Sequence, residues 1–169
     1  EQLSLYAAYM QTLGNRPDLF PSGSYPNAST VKEPTYYEIP PEALEDETFA
    51  AMIAEADKYV GYPYVWGGSS PSTSFDCSGF ISWVINHSGW NVGRLTAQGL
   101  YNICTPVTAE QAKPGDLVFF VGTYDTPGVS HVGLYVGNSV MLHCGDPISY
   151  TNLNSSYSQS HLYCYGRLP

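Results

Sequence analysis

Hydrophobic positions along the chain change period twice. Leu3, Tyr6, Met10 and Leu13 stand at helical spacing with Gly14 after them as a stop, which predicts a short first helix. Between Asn15 and Pro41 six prolines (Pro17, Pro21, Pro26, Pro34, Pro40, Pro41) then interrupt every regular pattern. Each fixes its own φ and restricts the residue before it, so this stretch runs extended. Its aromatics Phe20, Tyr25, Tyr36 and Tyr37 favour a strap lying on the protein over a free linker. The helical period returns in Phe49, Met52, Ile53, Ala56 and Val60. Glu42, Glu45, Asp46 and Glu47 precede these residues and Lys58 stands near their end, a charge order that complements the helix dipole. Gly61 to Ser74 reads as a loop. A second helix from about Cys77 to His87 turns Phe80, Ile81, Val84 and Ile85 inward, with Gly89 past its end. From there the period is that of strands, over 116–121, 131–136, 139–144 and 161–165, and 154–160 reads as an exposed loop. Two or three helices followed by a run of antiparallel strands predict an α+β fold, with an N-terminal helix and proline-rich arm at 1–41 and one domain at 42–169.

Composition narrows the function classes. Fifteen acidic against six basic residues give a net charge of −9, and six scattered bases cannot neutralise a phosphate backbone, so ordinary nucleic-acid binding is excluded. Apolar runs such as Leu117 to Val121 fall far short of a membrane span. With 12% charged residues the surface must be covered by Ser, Thr, Asn, Gln, Gly and Tyr, a neutral coat that suits an extracellular, polymer-facing protein. The first residue is Glu1, not Met, which fits a processed or excised piece whose targeting segment lies elsewhere. Cys77, Cys104, Cys144 and Cys164 match neither a zinc ribbon nor a CxxC redox motif. Cys77 is expected free, and the state of the other three is open.

The sharpest local feature is Phe75-Asp76-Cys77-Ser78-Gly79-Phe80, preceded by Tyr64-Val65-Trp66-Gly67-Gly68. A thiol in the first turn of a helix faces unpaired backbone N–H groups and the positive end of the dipole, which favour thiolate. The bland alternative is a buried helix cysteine packed as a small hydrophobe. His131 and His143 weigh against it. They lie on consecutive predicted strands and share a face if paired positions sum to an even number, as a three-residue loop gives. A two-residue turn at Gly137-Asn138 would put them on opposite faces. His87 and His161 read as structural. A Cys, a His that takes its proton and a polar group that orients the His are what nucleophilic acyl transfer needs, and pairing with imidazolium lowers a thiol pKa enough for an ion pair before substrate arrives.

These residues resemble the NlpC/p-sixty cell-wall peptidases, papain-like cysteine enzymes. The resemblance covers about Phe49 to Leu168 and rests on GYPYVWGG, FDCSGF, KPGDLVFF (Lys113 to Phe120), SHVGLYVG (Ser130 to Gly137) and VMLHC, in one order. It implies a nucleophile helix packed on an antiparallel sheet, with Cys77 as nucleophile, His131 as base and His143 as third member. It also implies substrate contacts at Tyr64, Asp76, Ser78 and Ser130, with the Tyr64 hydroxyl and the Cys77 N–H turned to the oxyanion. The implied reaction is hydrolysis of a peptidoglycan stem peptide between γ-D-glutamate and the following diamino acid. No metal or organic cofactor is implied, the protein is expected to work as a monomer in or outside the wall, and an upstream domain is expected beyond this chain. Cys144 would point away from the site; a Cys144–Cys164 bond, if those strands are neighbours, would be structural. The stretch Gly122 to Ser130 sits where loops shape a cleft. Three competitors remain: an acyltransferase or amidase on the same scaffold, a non-catalytic wall-binding module, and a metal site of Cys77, His131 and His143 with Cys144 nearby.

Overall fold

The computed structural model describes residues 33–169. The helix expected over residues 3–13 and most of the proline-rich arm lie outside the described residues. Helix α1, Glu47–Ala56, starts at Asp46, whose carboxylate accepts from the N–H groups of Thr48 (3.0 Å) and Phe49 (3.1 Å). Phe49, Met52, Ile53 and Ala56 are its buried face, and each large one contributes about 1.5–3 kcal/mol by leaving water. The helix is shorter than its hydrophobic period. Single 3-10 turns at Ala43–Glu45 and Asp57–Tyr59 flank it, so Val60 lies beyond the helix. Helix α2, Cys77–Asn86, buries Phe80, Ile81, Val84 and Ile85 as expected.

Within 61–75 the chain makes a small ribbon of β1, Ser69–Ser70, and β2, Ser74–Phe75, where a plain loop was expected. Two further helices escaped the periodicity. Helix α3, Ala97–Ile103, is capped by Thr96 on the Gly99 N–H, and its interior Gly99 breaks the pattern that would have revealed it. Helix α4, Ser156–His161, replaces part of the exposed loop expected over 154–160; the Ser155 hydroxyl caps it on the Ser158 N–H.

Strands β3, Thr105–Val107, β4, Leu117–Val121, β5, Val129–Gly137, β6, Val140–Cys144, β7, Ile148–Asn152, and β8, Leu162–Arg167, form one antiparallel sheet in the order β3-β8-β4-β5-β6-β7. The central strand β4 explains its own apolar run. Leu117 and Phe119 join the main core with the helices, while Val118 and Phe120 join a second cluster with Tyr135, Met141 and Leu153. The architecture is α+β with the nucleophile helix against an antiparallel sheet.

The described end of the arm is a strap. Thr35 accepts from the Tyr150 N–H on edge strand β7 (2.9 Å), Tyr37 accepts from the Asn138 side chain (2.8 Å), and Tyr37 and Ile39 pack on the core while Tyr36 stays exposed. The strap covers an edge that would otherwise offer unpaired backbone groups. All four cysteines are unbonded. Cys144 on β6 and Cys164 on β8 are not on neighbouring strands: β4 and β5 separate them, about 14 Å at ordinary strand spacing, too far for a disulfide.

Candidate active site

Asp76 organises the Cys77 side. Its carboxylate accepts from the Gly79 N–H (2.8 Å), which caps α2, and from the Gly67 N–H (3.0 Å), which ties down the preceding loop. Arg94 Nη2 lies 2.8 and 2.9 Å from its two oxygens, and Arg94 Nη1 donates to the Ser78 hydroxyl (2.8 Å) and the Leu95 carbonyl (2.7 Å). The Asp76 N–H donates to Gly68 O (2.9 Å). This approach requires glycine at both ends: a Cβ on Gly79 would fall onto the Gly68 carbonyl oxygen, and one on Gly68 would stand 2.5 Å from Ser74 O. The loop thus presses against the helix tip and fixes where Cys77 sits.

Cys77 is 6% exposed, with Sγ 3.9 Å from the carbonyl oxygen of Ser130, the residue before His131. Burial, and then the adjacent Asp76 carboxylate, push its thiol up to about 11; the N–H groups of Val132 and Ser78 and the Arg94 guanidinium pull the other way. Tyr64 bridges to Phe75 beside this corner and is half-buried. Burial and the nearby Cys77 and Asp76 raise its phenol well above the ordinary value, so its O–H stays a donor.

The histidine side depends on register. A two-residue turn at Asn138-Ser139, both at positive φ (54° and 59°), pairs Gly137 with Val140, a sum of odd parity. A bulge between Tyr135 and Gly137 inserts one residue, and the ladder continues as Tyr135 with Met141 and Leu134 with Leu142. The even sum is restored by the bulge, not by a three-residue loop, and the same register sets His143 opposite Gly133. A Cβ on Gly133 would stand 3.1 Å from His143 Cβ and 2.7 Å from Met141 Sδ, so glycine leaves the space over which the two imidazoles meet. His131 Nε2 and His143 Nδ1 are 2.8 Å apart, with the rings nearly perpendicular (89°). His143 Nε2 is in turn 2.8 Å from Thr151 Oγ1 on β7.

Both imidazoles keep a sliver of solvent contact yet are closely ringed by protein. Burial lowers His131 to about 4, with Asp76 opposing, and lowers His143 to about 3, with the neighbouring His131 adding to the effect. Burial thus works against a thiolate at Cys77 and against an imidazolium at either histidine. Each shift is the cost of one isolated charge in the interior. Moving a proton from Sγ to imidazole creates both charges together, and their attraction offsets that cost only while the proton is in transit.

His131 and His143 meet through their ring nitrogens, the Ser130 carbonyl just before His131 meets the Cys77 thiol, and Tyr64 bridges to Phe75 two residues before Cys77. Asp76 and Ser78 lie at the corner but face Arg94 and the helix cap. The Ser130 hydroxyl is turned away to Thr123, accepting its N–H at 3.0 Å, which braces the 122–130 loop. That loop carries Tyr124 onto exposed Trp66, with ring centroids 5.3 Å apart. Two contributors were absent from the sequence reading. Arg94 stands in a stretch with no periodic signal, and Thr151 is visible only once β7 is paired with β6. Cys144 points into the core, its Sγ 3.2 Å from Phe75 O. Among the described residues no group of three or more His, Cys, Asp or Glu is arranged to hold a metal ion.

The profile of the NlpC/P60 family matches residues 61–167. The bifunctional muramidase/DL-endopeptidase CwlT of Bacillus subtilis is 43% identical over 121 residues, 71% of this chain and 36% of that protein. A protein of Listeria innocua named "Probable endopeptidase p60" is 44% identical over 119 residues, 70% of this chain and 24% of that one. The chain thus spans about a third or less of these curated relatives. The crystal structure of a Staphylococcus aureus protein described as similar to lipoprotein, NLP/P60 family, superposes with a TM-score of 0.70 at 34% identity, covering 97% of this chain and 60% of that one. Profile, relatives and fold coincide on the segment that carries Cys77, His131 and His143, and the chain belongs to the NlpC/P60 family.

Proposed function

We propose that this domain is a peptidoglycan hydrolase, a cysteine endopeptidase that opens stem peptides between γ-D-glutamate and the following diamino acid. The reading rests on one observation above the others: a hydrogen-bonded His131–His143 pair across β5 and β6, with the carbonyl of Ser130, the residue before His131, touching the buried Cys77 thiol at a helix tip. Binding alone has no use for that combination. The DL-endopeptidase activity in the name of the Bacillus subtilis relative supports the choice of bond.

In this mechanism His131 Nδ1 takes the Cys77 proton as Sγ attacks the carbonyl carbon, because neither charge is stable beforehand. The Cys77 N–H and the Tyr64 O–H donate to the oxyanion, the phenol being held protonated by its surroundings. Collapse breaks the C–N bond, and the leaving amine receives the proton from His131. Water, deprotonated by the same imidazole, then opens the thioester and returns the thiol. Asp76 and Ser78 act as the frame of the substrate pocket, since the Asp76 carboxylate already holds the Gly67 and Gly79 N–H groups and Arg94. Such an enzyme acts in the cell wall or outside the cell.

The test is mass spectrometry of purified muropeptides incubated with wild type and with Cys77→Ala under reducing conditions. Fragments split after γ-D-glutamate, present with wild type and absent with the variant, are the expected result. Intact stems after incubation with folded wild type would end the endopeptidase reading and move the weight to acyl transfer or a binding role.

A further inference from the structure

We propose that Thr151 is a positioning residue, the terminal hydrogen-bond acceptor of a His131–His143–Thr151 chain. The inference rests on the endopeptidase reading for the role of His131 and goes beyond it in giving the site a fourth member. While both imidazoles are neutral, the 2.8 Å contacts from His131 Nε2 to His143 Nδ1 and from His143 Nε2 to Thr151 Oγ1 can run in either direction, because a hydroxyl both donates and accepts. That freedom ends when His131 takes the thiol proton. An imidazolium has a proton on each nitrogen, so His131 Nε2 must donate, and His143 Nδ1 must accept. His143 then carries its single proton on Nε2, and that N–H points at Thr151 Oγ1 as its acceptor. The hydroxyl thus favours the one tautomer of His143 compatible with a charged His131, and it does so only in the state that forms during proton transfer.

The placement follows from strand register. Thr151 pairs with Met141, two residues from His143, and His143 pairs with Ser149, so all four side chains share one face of the β6–β7 ladder. The strap that meets β7 at Tyr150 borders the residue before it. The charged and titratable groups that act on the two imidazoles are Asp76, which favours the charged form of His131, and His131 itself, which disfavours that of His143. Among the described residues Thr151 Oγ1 is the hydrogen-bond partner of His143 Nε2.

Thr151→Val keeps the β-branched shape on a strand and removes the acceptor; Thr151→Ser restores it. We expect the valine variant to cleave stem peptides about tenfold more slowly in kcat with little change in KM, the weight of one neutral hydrogen bond. The rate of Cys77 alkylation by iodoacetamide at neutral pH, read by peptide mass spectrometry, should fall by a similar factor, with its pH profile displaced upward. The serine variant should recover both. A folded valine variant with wild-type alkylation profile and kcat overturns the proposal, as does a serine variant that remains as slow as valine. Should valine disturb folding, Thr151→Ala against Thr151→Ser makes the same comparison. The two readings fail separately: a displaced alkylation profile in a protein that cleaves no stem leaves Thr151 in place and removes the endopeptidase, whereas cleavage indifferent to Thr151→Val does the opposite.

Discussion

The two halves of the site are built by different means. The nucleophile corner is stitched within a short span of chain: Gly67, Gly68, Asp76, Gly79 and Arg94 hold one another through backbone groups and a single carboxylate. The histidine ladder is assembled from β5, β6 and β7, and the orientation of its members depends on one extra residue in a hairpin. A local stitch is sensitive to volume and close contact, whereas a ladder is sensitive to register and to protonation. Each half should therefore fail in its own way.

The largest effect is expected on the ladder. His131→Ala removes the proposed base, and we predict a loss of hydrolysis of about a thousandfold or more with the fold retained, measured by turnover alongside circular dichroism. More than a tenth of wild-type activity would contradict that assignment. Protonation attacks the same half. The folded-state values of about 4 for His131 and about 3 for His143 lie below the ordinary 6.5, so the unfolded chain binds these protons first. The stabilisation is complete above pH 6.5 and is lost as pH falls toward the folded values. By pH 5 each imidazole should cost at most about 2 kcal/mol, before most carboxylates titrate. Denaturant melts at pH 7, 6 and 5 for wild type and His143→Gln would show a shallower slope in the variant. Equal slopes would mean the pair is not held neutral by burial.

On the nucleophile corner Gly79→Ala should cost about 3 kcal/mol and lower Tm by roughly 6–12 °C, because the added methyl meets the Gly68 carbonyl, which is backbone and cannot swing aside. A variant that melts with wild type would show that the loop does not clamp the helix tip.

This asymmetry also decides what could be read from the residues alone. The Cys77 helix was legible because its inward Phe80, Ile81, Val84 and Ile85 and the glycine past its end are local signals. The strands β4, β5 and β6 were legible as short apolar runs, and the histidines of β5 and β6 from position. The bulge at Val136 was not, since an unpaired residue in a strand looks like any other until its partner is known. Thr151 was hidden for the same reason. Arg94 was hidden because a lone arginine between Gly93 and Leu95 carries no period; only the Asp76 carboxylate in space gives it meaning. The thiolate expected from the helix dipole met a competing term, burial, that spacing does not reveal.

The smallest predicted effect separates the two kinds of assembly most finely. Deleting Ser139 leaves Val136, Gly137, Asn138 and Val140 between the paired Tyr135 and Met141. Val136 can then pair with Val140, and Gly137-Asn138, both already at positive φ, form a regular two-residue turn with no bulge. The register below Tyr135 is unchanged, so His131 and His143 remain on one face. The deletion forfeits the Leu153 N–H bond to Ser139 O (2.7 Å) and the Ser139 N–H bond to the Tyr135 hydroxyl (3.2 Å), about 1–2 kcal/mol together. Cleavage by the deletion variant should stay within a few fold of wild type. Deleting a residue between His131 and Tyr135 instead reverses the parity of His131 against His143 and should reduce hydrolysis to the level of His131→Ala. If both deletions abolish activity equally, the turn rather than the parity of the ladder governs the pair.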